Sequence, residues 1–366
     1  MSEKKFWKKI RNNRFYLALT GIICAILLFF LVLYLAVPSY SFAEIEPFNG
    51  EFVYNPYSEI NRINYLDFRS ESIENQGIKV YEYGYALSGT RYLCLGYDKK
   101  RKIDYPFLQS VHYKQFNIDK LNKKCRLVAP ANPSKGFKKG EMTRLDHYRV
   151  MEALSPNANS LYYWDIALSN GHRVNIIATT GNDFDTIKYL TATIGENDAE
   201  TVCKSLETGN SYAVAYRGSL IDVPELQEVT LNNDTLKVSV SDKAKEIRFI
   251  GQNAIVKQTV SNVTEACYVF KNDDTYIRTE IEFDNGNTLY LNPLVRHQYQ
   301  YFFDLDKAKV MKGRTYLMWA VYIIVVLAFL RLLFISHSPH ISTGHRPKGE
   351  GKGDISNNTK NENSGE

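Results

Sequence analysis

With 366 residues, a net charge of +5 and 23% charged residues, the chain is neither acidic nor strongly basic, and its basic residues are spread out, which argues against nucleic-acid binding. A hydrophobic content of 44%, with 26 tyrosines and 19 phenylalanines, excludes general disorder. Five cysteines with no Cys-x-x-Cys pair, and no histidine at zinc-finger spacing, exclude a dense disulfide framework and a zinc finger.

Residues 1–14 are a basic N-terminus, with Lys4, Lys5, Lys8, Lys9, Arg11 and Arg14 against Glu3. An uncharged apolar stretch at 15–37 follows, and at ~1.5 Å per residue it is long enough to cross a ~30 Å hydrocarbon core. It exceeds the apolar region of a cleavable signal peptide, so a transmembrane helix is expected, with the N-terminus cytoplasmic by the positive-inside rule. A second apolar segment at 315–334 predicts another transmembrane helix, with Arg331 snorkelling to the interface. The expectation is therefore a two-pass inner (cytoplasmic) membrane protein with the lipid bilayer as a partner, a large extracytoplasmic domain and both termini cytoplasmic. The tail at 336–366, rich in Gly, Asn, Ser, Lys and Glu, is expected to be disordered.

Between the spans lie roughly 275 residues, enough for one large fold with an appendage. Asn55-Pro56 opens the fold. Apolar runs at 92–95, 127–129 and 174–178 predict buried strands, while 116–124, 161–170 and 198–208 predict helices. That alternation implies a parallel sheet over 55–217. Cys94, Cys125 and Cys203 sit among apolar neighbours and read as buried thiols. Beyond Arg217-Gly218 the pattern changes: 235–240, 247–250, 254–258 and 276–283 alternate apolar and polar residues, and Asp284-Asn285-Gly286-Asn287 supplies a turn. This predicts an antiparallel β-sandwich over 228–297.

The order of segments over 55–217 resembles the PHP (polymerase and histidinol phosphatase) family. The matching stretches are Tyr65-Leu66-Asp67-Phe68-Arg69 for a strand ending in His-x-His, Leu93-Cys94-Leu95-Gly96-Tyr97-Asp98 for one ending in Asp-His, and Val128-Ala129-Pro130-Ala131-Asn132-Pro133 for one ending in Ala-His-Pro. A strand containing Met151-Glu152, the helical Tyr163-Trp164-Asp165-Ile166-Ala167-Leu168-Ser169-Asn170-Gly171 and the run Gly181-Asn182-Asp183-Phe184-Asp185 complete the likeness. The resemblance implies an α/β fold: a distorted (β/α)7 TIM-like barrel, here followed by the β-sandwich and flanked by the two transmembrane helices. Family members hold two or three metal ions and hydrolyse phosphoesters.

The scaffold positions are kept, but the ligand positions are rewritten. The resemblance brings Asp67, Arg69, Tyr97, Asp98, Asn132, Glu152, Asp183 and Phe184 to the barrel mouth as a candidate pocket. Asn, Tyr, Arg and Phe cannot supply the converging imidazoles and carboxylates that a binuclear centre needs, and Arg69 would set a fixed positive charge beside any cation. No catalytic residue, metal ligand or cofactor is therefore assigned. The reading is a pseudo-enzyme acting as a binding or scaffold protein within the cell envelope, with other envelope or membrane proteins as partners. Two alternatives stay open. One is a metal-dependent phosphoesterase with a rearranged ligand set; the other is a module binding an anionic small molecule or glycan through Arg69 and the basic run Lys99, Lys100, Arg101, Lys102.

Overall fold

In the computed structural model, the described residues are 14–35, 37–44, 46–70, 73, 77–84, 89–100, 109–156, 158–180, 186–298 and 307–337. Helices form near each of the five expected positions, with the second beginning five residues before the expected 116 and two short helices not expected: α1 (Arg14–Leu35) and α2 (Val111–Asn122) precede the short α3 (Pro133–Gly136) and α4 (Lys139–Met142), and α5 (Leu161–Ser169), α6 (Ala199–Thr208) and α7 (Lys312–His337) follow. Local chemistry sets their ends. Ser110 Oγ accepts from Tyr113 N to start α2. The Asp198 carboxylate accepts from the backbone N–H of Glu200 and Thr201 to start α6, and Gly209, at φ 93°, ends it. Helix α6 buries Val202, Cys203 and Leu206 and exposes Glu200, Lys204 and Glu207, the stripe of a helix lying on a sheet.

Among the described residues, three sheets replace the expected barrel. A two-stranded ribbon pairs β1 (Tyr40–Phe42) with β18 (Ala308–Val310). A six-stranded sheet runs in the order β4 (Val80–Tyr83), β5 (Arg91–Tyr97), β6 (Cys125–Ala131), β7 (Val150–Ser155) and β8 (Ala158–Asn159), with β9 (Asn175–Ala178) also pairing β7. In a ten-stranded sheet, β12 (Leu226–Asn232), β13 (Thr235–Gly251), β15 (Tyr276–Glu282), β16 (Thr288–Leu291), β11 (Ser211–Tyr216), β10 (Lys188–Ile194) and β3 (Ile63–Leu66) lie side by side. There β14 (Ile255–Val269) pairs β13, and β17 (Leu294–His297) pairs β15 and β2 (Phe52–Tyr54).

The (β/α)7 expectation fails on strand direction. A barrel of that kind needs parallel neighbours throughout, whereas among the described residues only β6 with β7 and β7 with β9 are parallel. Strand and helix do alternate, but two of the helices return the chain to the end it left. Asp98 N donates to Lys124 O across α2, and Ile194 N to Asn210 O across α6, so β5/β6 and β10/β11 are antiparallel. The expected sandwich is corrected too. Its strands are antiparallel, but β16 pairs β11, so they continue the sheet that contains β3 and β10.

The membrane spans are the third correction. Among the described residues no helix is long and apolar enough to cross a membrane, which overturns the two-pass, inner-membrane reading. Helices do form at both ends of the chain. Helix α7 opens on the polar Lys312, Arg314 and Thr315. Ile22, Ile23, Ile26 and Leu27 of α1, and Leu317 and Ile324 of α7, are exposed. Ser336 and His337, the first residues of the expected disordered tail, are the end of α7; residues 1–13 and 338–366, with the rest of that tail, lie outside the described residues.

The core follows the two-residue period of the strands. In β5, Tyr92 and Cys94 face a cluster with Trp164, Ala167 and Leu168 of α5 and Ile118 and Leu121 of α2. Leu93 and Leu95 face the other way, onto Val202, Cys203 and Leu206 of α6. Trp164, fully buried, donates from Nε1 to Val174 O at 2.7 Å, so this aromatic is a core residue. Cys94, Cys125 and Cys203 are buried, and no disulfide joins any of the five cysteines.

At one point the packing admits only glycine. A Cβ on Gly136 would lie 2.1 Å from Gly89 O and 2.4 Å from Thr90 N, while Thr90 Oγ1 and Lys114 Nζ both donate to Gly136 O. Gly136→Ala is expected to cost about 1–3 kcal/mol, read as a lower urea midpoint at unchanged slope.

Candidate functional site

The strand ends that the topology gathers are those of β3, β6 and β9, the middle of β7, and the outer pair β4/β5. Ala131, the last residue of β6, stands opposite Glu152 of β7, which in turn pairs Ile177 of β9. Asp67 follows β3 and closes a turn: its Oδ1 accepts from Arg69 N at 3.1 Å and from Thr180 N at 3.2 Å, tying the end of β3 to the end of β9. Burial pushes the Asp67 carboxyl up from its ordinary range, with those two N–H groups and the Arg69 charge opposing the shift.

That turn aims Arg69 inward. Its Nε donates to Glu152 Oε1 at 2.8 Å and its Nη2 to Glu152 Oε2 at 3.0 Å, a bidentate pair, while Nη1 donates to Glu82 Oε2. Thr179 Oγ1 donates to Glu152 Oε1 at 2.5 Å and accepts from Arg69 Nε at 3.1 Å. Glu82 Oε1 accepts from Arg91 Nη1 at 2.7 Å. The result is a chain of alternating charge, Glu152, Arg69, Glu82, Arg91, that climbs from a Glu152 side chain with no exposure to an Arg91 side chain 40% exposed. Burial opposes the charge on Arg69, but Glu152 and Glu82 outweigh it and hold the guanidinium pKa above its ordinary value.

Of the residues singled out in the sequence, Asp67, Arg69 and Glu152 meet here. Asn132 stands beside them at the end of β6, in the left-handed region (φ 46°), and accepts from Ser155 Oγ at 2.6 Å through Oδ1. Tyr97 and Asp98 do not meet them. Because β5 runs antiparallel to β6, Arg91 lies beside Ala131 and Tyr97 beside Cys125, six residues or ~20 Å along the strand. Tyr97 instead packs edge-on against Tyr81, with rings 4.8 Å apart, under Lys100. Asp183 and Phe184 lie outside the described residues.

Glu82 and Arg91 are additions that the serial comparison missed. Both carry a visible signal: Glu82 is an acid between two tyrosines in a short strand, and Arg91 heads the buried run Tyr92-Leu93-Cys94-Leu95. Charges placed so need partners.

Chemically, the cluster is closed on itself. Both oxygens of Glu152 and both of Glu82 already accept from guanidinium or hydroxyl donors. A cation drawn to these carboxylates would displace Arg69 or sit against its charge. Among the described residues no group of three or more His, Cys, Asp or Glu is placed to hold a metal ion. No known protein family matches the chain, and no characterised protein or solved structure is similar to it.

Proposed function

We propose that the chain is a binding or scaffold protein, acting through its surfaces on another macromolecule, and not a metal-dependent phosphoesterase. The observation that carries this reading is the bidentate Arg69–Glu152 pair. A guanidinium held between Glu152 and Glu82 stands where a hydrolytic metal would need open carboxylate lone pairs. The likeness to the PHP family supports the reading only through the residues at these strand ends, since the barrel it implied is not formed. Anion binding at Arg69 is not favoured, because Nε, Nη1 and Nη2 all donate to carboxylates of the chain itself.

The test is metal content and hydrolysis together. The purified full chain, equilibrated with Mn2+, Fe2+ and Zn2+ and then desalted, is expected to keep no stoichiometric metal and to leave p-nitrophenyl phosphate intact. Stoichiometric metal accompanied by hydrolysis that Asp67→Ala abolishes would overturn the proposal.

A further inference from the structure

Four histidines lie among the described residues outside the terminal helices, and three of them gather at one seam. The seam joins the β1/β18 ribbon to the body built on α2, the α4–β7 loop and the end of α5. Ribbon strand β1 is fixed by Tyr40: its backbone N–H donates to His112 Nδ1 at 3.0 Å, and its hydroxyl donates to Asp119 Oδ2 at 2.6 Å. The other oxygen of Asp119 meets His147 Nδ1 at 2.7 Å. On the approach to β18, Lys307 N donates to Asp146 Oδ2 at 2.7 Å and Lys307 Nζ to Gly171 O at 2.5 Å. His172, the next residue, is buried with Nε2 3.2 Å from Thr143 O.

These bonds fix protonation states. His112 Nδ1 accepts a backbone N–H, so it carries no proton, and the ring is neutral with its hydrogen on Nε2. Its surroundings favour that state. The rings of Tyr40 and Phe42 stack on it with centroids 6.4 and 5.6 Å away, and the charged groups acting on it, Arg314 of α7 and Arg144 of the α4–β7 loop, are both cationic. His172 faces Lys307 from the ribbon and Asp146 and Arg149 from the body; its burial, with Lys307 adding to the effect, pushes its pKa down to about 4. His147, against Asp119 and 3.8 Å from Asp146, rests on the body, with Asp119 between it and the Tyr40 hydroxyl of the ribbon.

We propose that the β1/β18 ribbon is a proton-released latch: on acidification His112 and His172 take up protons, the Tyr40 N–H loses its acceptor, and residues 39–43 and 307–311 detach from the body. The closed state binds fewer protons than the open one. Closure is therefore complete above the ordinary histidine pKa near ~6.5 and weakens as pH falls below it, up to roughly tenfold per unit for each histidine until its closed-state pKa is reached. Release carries with the ribbon the segments that lead into α1 and α7, which stay tied to each other by Met311 N donating to Ser39 O and Ser39 N to Thr315 Oγ1.

Hydrogen exchange on the full chain at pH 7 and pH 5, corrected for the intrinsic pH dependence of exchange, tests this. Protection at Tyr40 and Lys307, whose N–H groups donate across the seam to His112 Nδ1 and Asp146 Oδ2, is expected to fall on the order of 20-fold through His172 alone, while β13 amides keep theirs. His112→Asn places an uncharged acceptor near the Nδ1 position, and with His172→Gln it is expected to flatten the pH dependence. Wild-type protection unchanged at pH 5, or a double variant that keeps the wild-type slope, overturns the proposal. If the double variant does not fold, His112→Asn alone decides: a slope equal to wild type overturns the latch, and a reduced slope supports it.

Discussion

Asp165→Ala is expected to lose about 3–5 kcal/mol of stability, a large part of what holds a domain folded. Arg278, 4% exposed, donates from Nε to Asp165 Oδ1 at 2.7 Å and from Nη2 to Oδ2 at 2.9 Å, and its guanidinium lies 5.1 Å from the centre of the Trp164 ring. Burial opposes its charge, but Asp165 and then Glu280 outweigh it and hold its pKa above the ordinary value. Removing Asp165 leaves a guanidinium inside the protein with only Glu280 to answer it, across the junction of α5 and β15. The double variant Asp165→Leu with Arg278→Met removes both charges and is expected to recover to within about 1 kcal/mol of wild type, because an apolar pair avoids the desolvation cost. Urea denaturation of the two variants checks this. A single variant within 1 kcal/mol of wild type would mean that the pair contributes little.

Arg69→Met is the second large effect, with a size that depends on pH. At pH 7 it leaves Glu152, whose side chain has no exposure, ionised beside Thr179 alone, at an expected cost of about 3–5 kcal/mol. In that variant the unpaired carboxyl has a folded pKa above its unfolded value near ~4.3, so the folded state binds more protons than the unfolded one. The penalty is then full above the raised folded pKa, shrinks as pH falls through it, and is gone below ~4.3. Adding Glu152→Gln to Arg69→Met removes the buried charge and is expected to restore most of the loss at pH 7. The readout is the stability gap from wild type at pH 7 and at pH 5; a gap that does not narrow at the lower pH would contradict the assigned pairing. The outcome is independent of metal content, so it separates the pairing itself from the functional reading built on it.

The candidate site was partly legible because some of its signals are local. Arg69 in place of a ligand residue, and Glu152 inside the apolar run Val150-Met151-Glu152-Ala153-Leu154, mark a charge that must be matched inside the fold. What matches it was not legible. Glu82 comes 13 residues after Arg69 and 70 before Glu152, and nothing in their spacing says that β4, β3 and β7 converge. In a parallel barrel all these strands would end at one mouth; because β5 runs antiparallel to β6, Tyr97 and Asp98 lie at the other end of β5.

By itself the sequence determined the elements. The apolar runs place β5, β6 and β9, and the helix pattern from Asp198 places α6, because these are interactions between near neighbours; the Ser110 cap starts α2 five residues before the expected 116. Strand direction was decided only by tertiary structure. Whether a helix carries the chain to the far end of a sheet or back to the near one leaves no mark on the helix itself; it depends on which face finds apolar cover, as α6 does on Leu93, Leu95 and Leu127. The ten-stranded sheet was beyond the sequence for the same reason, since the pairing of β11 with β16 joins residues more than 70 positions apart. Which charges meet, Arg69 with Glu152 and Arg278 with Asp165, followed from those long-range pairings.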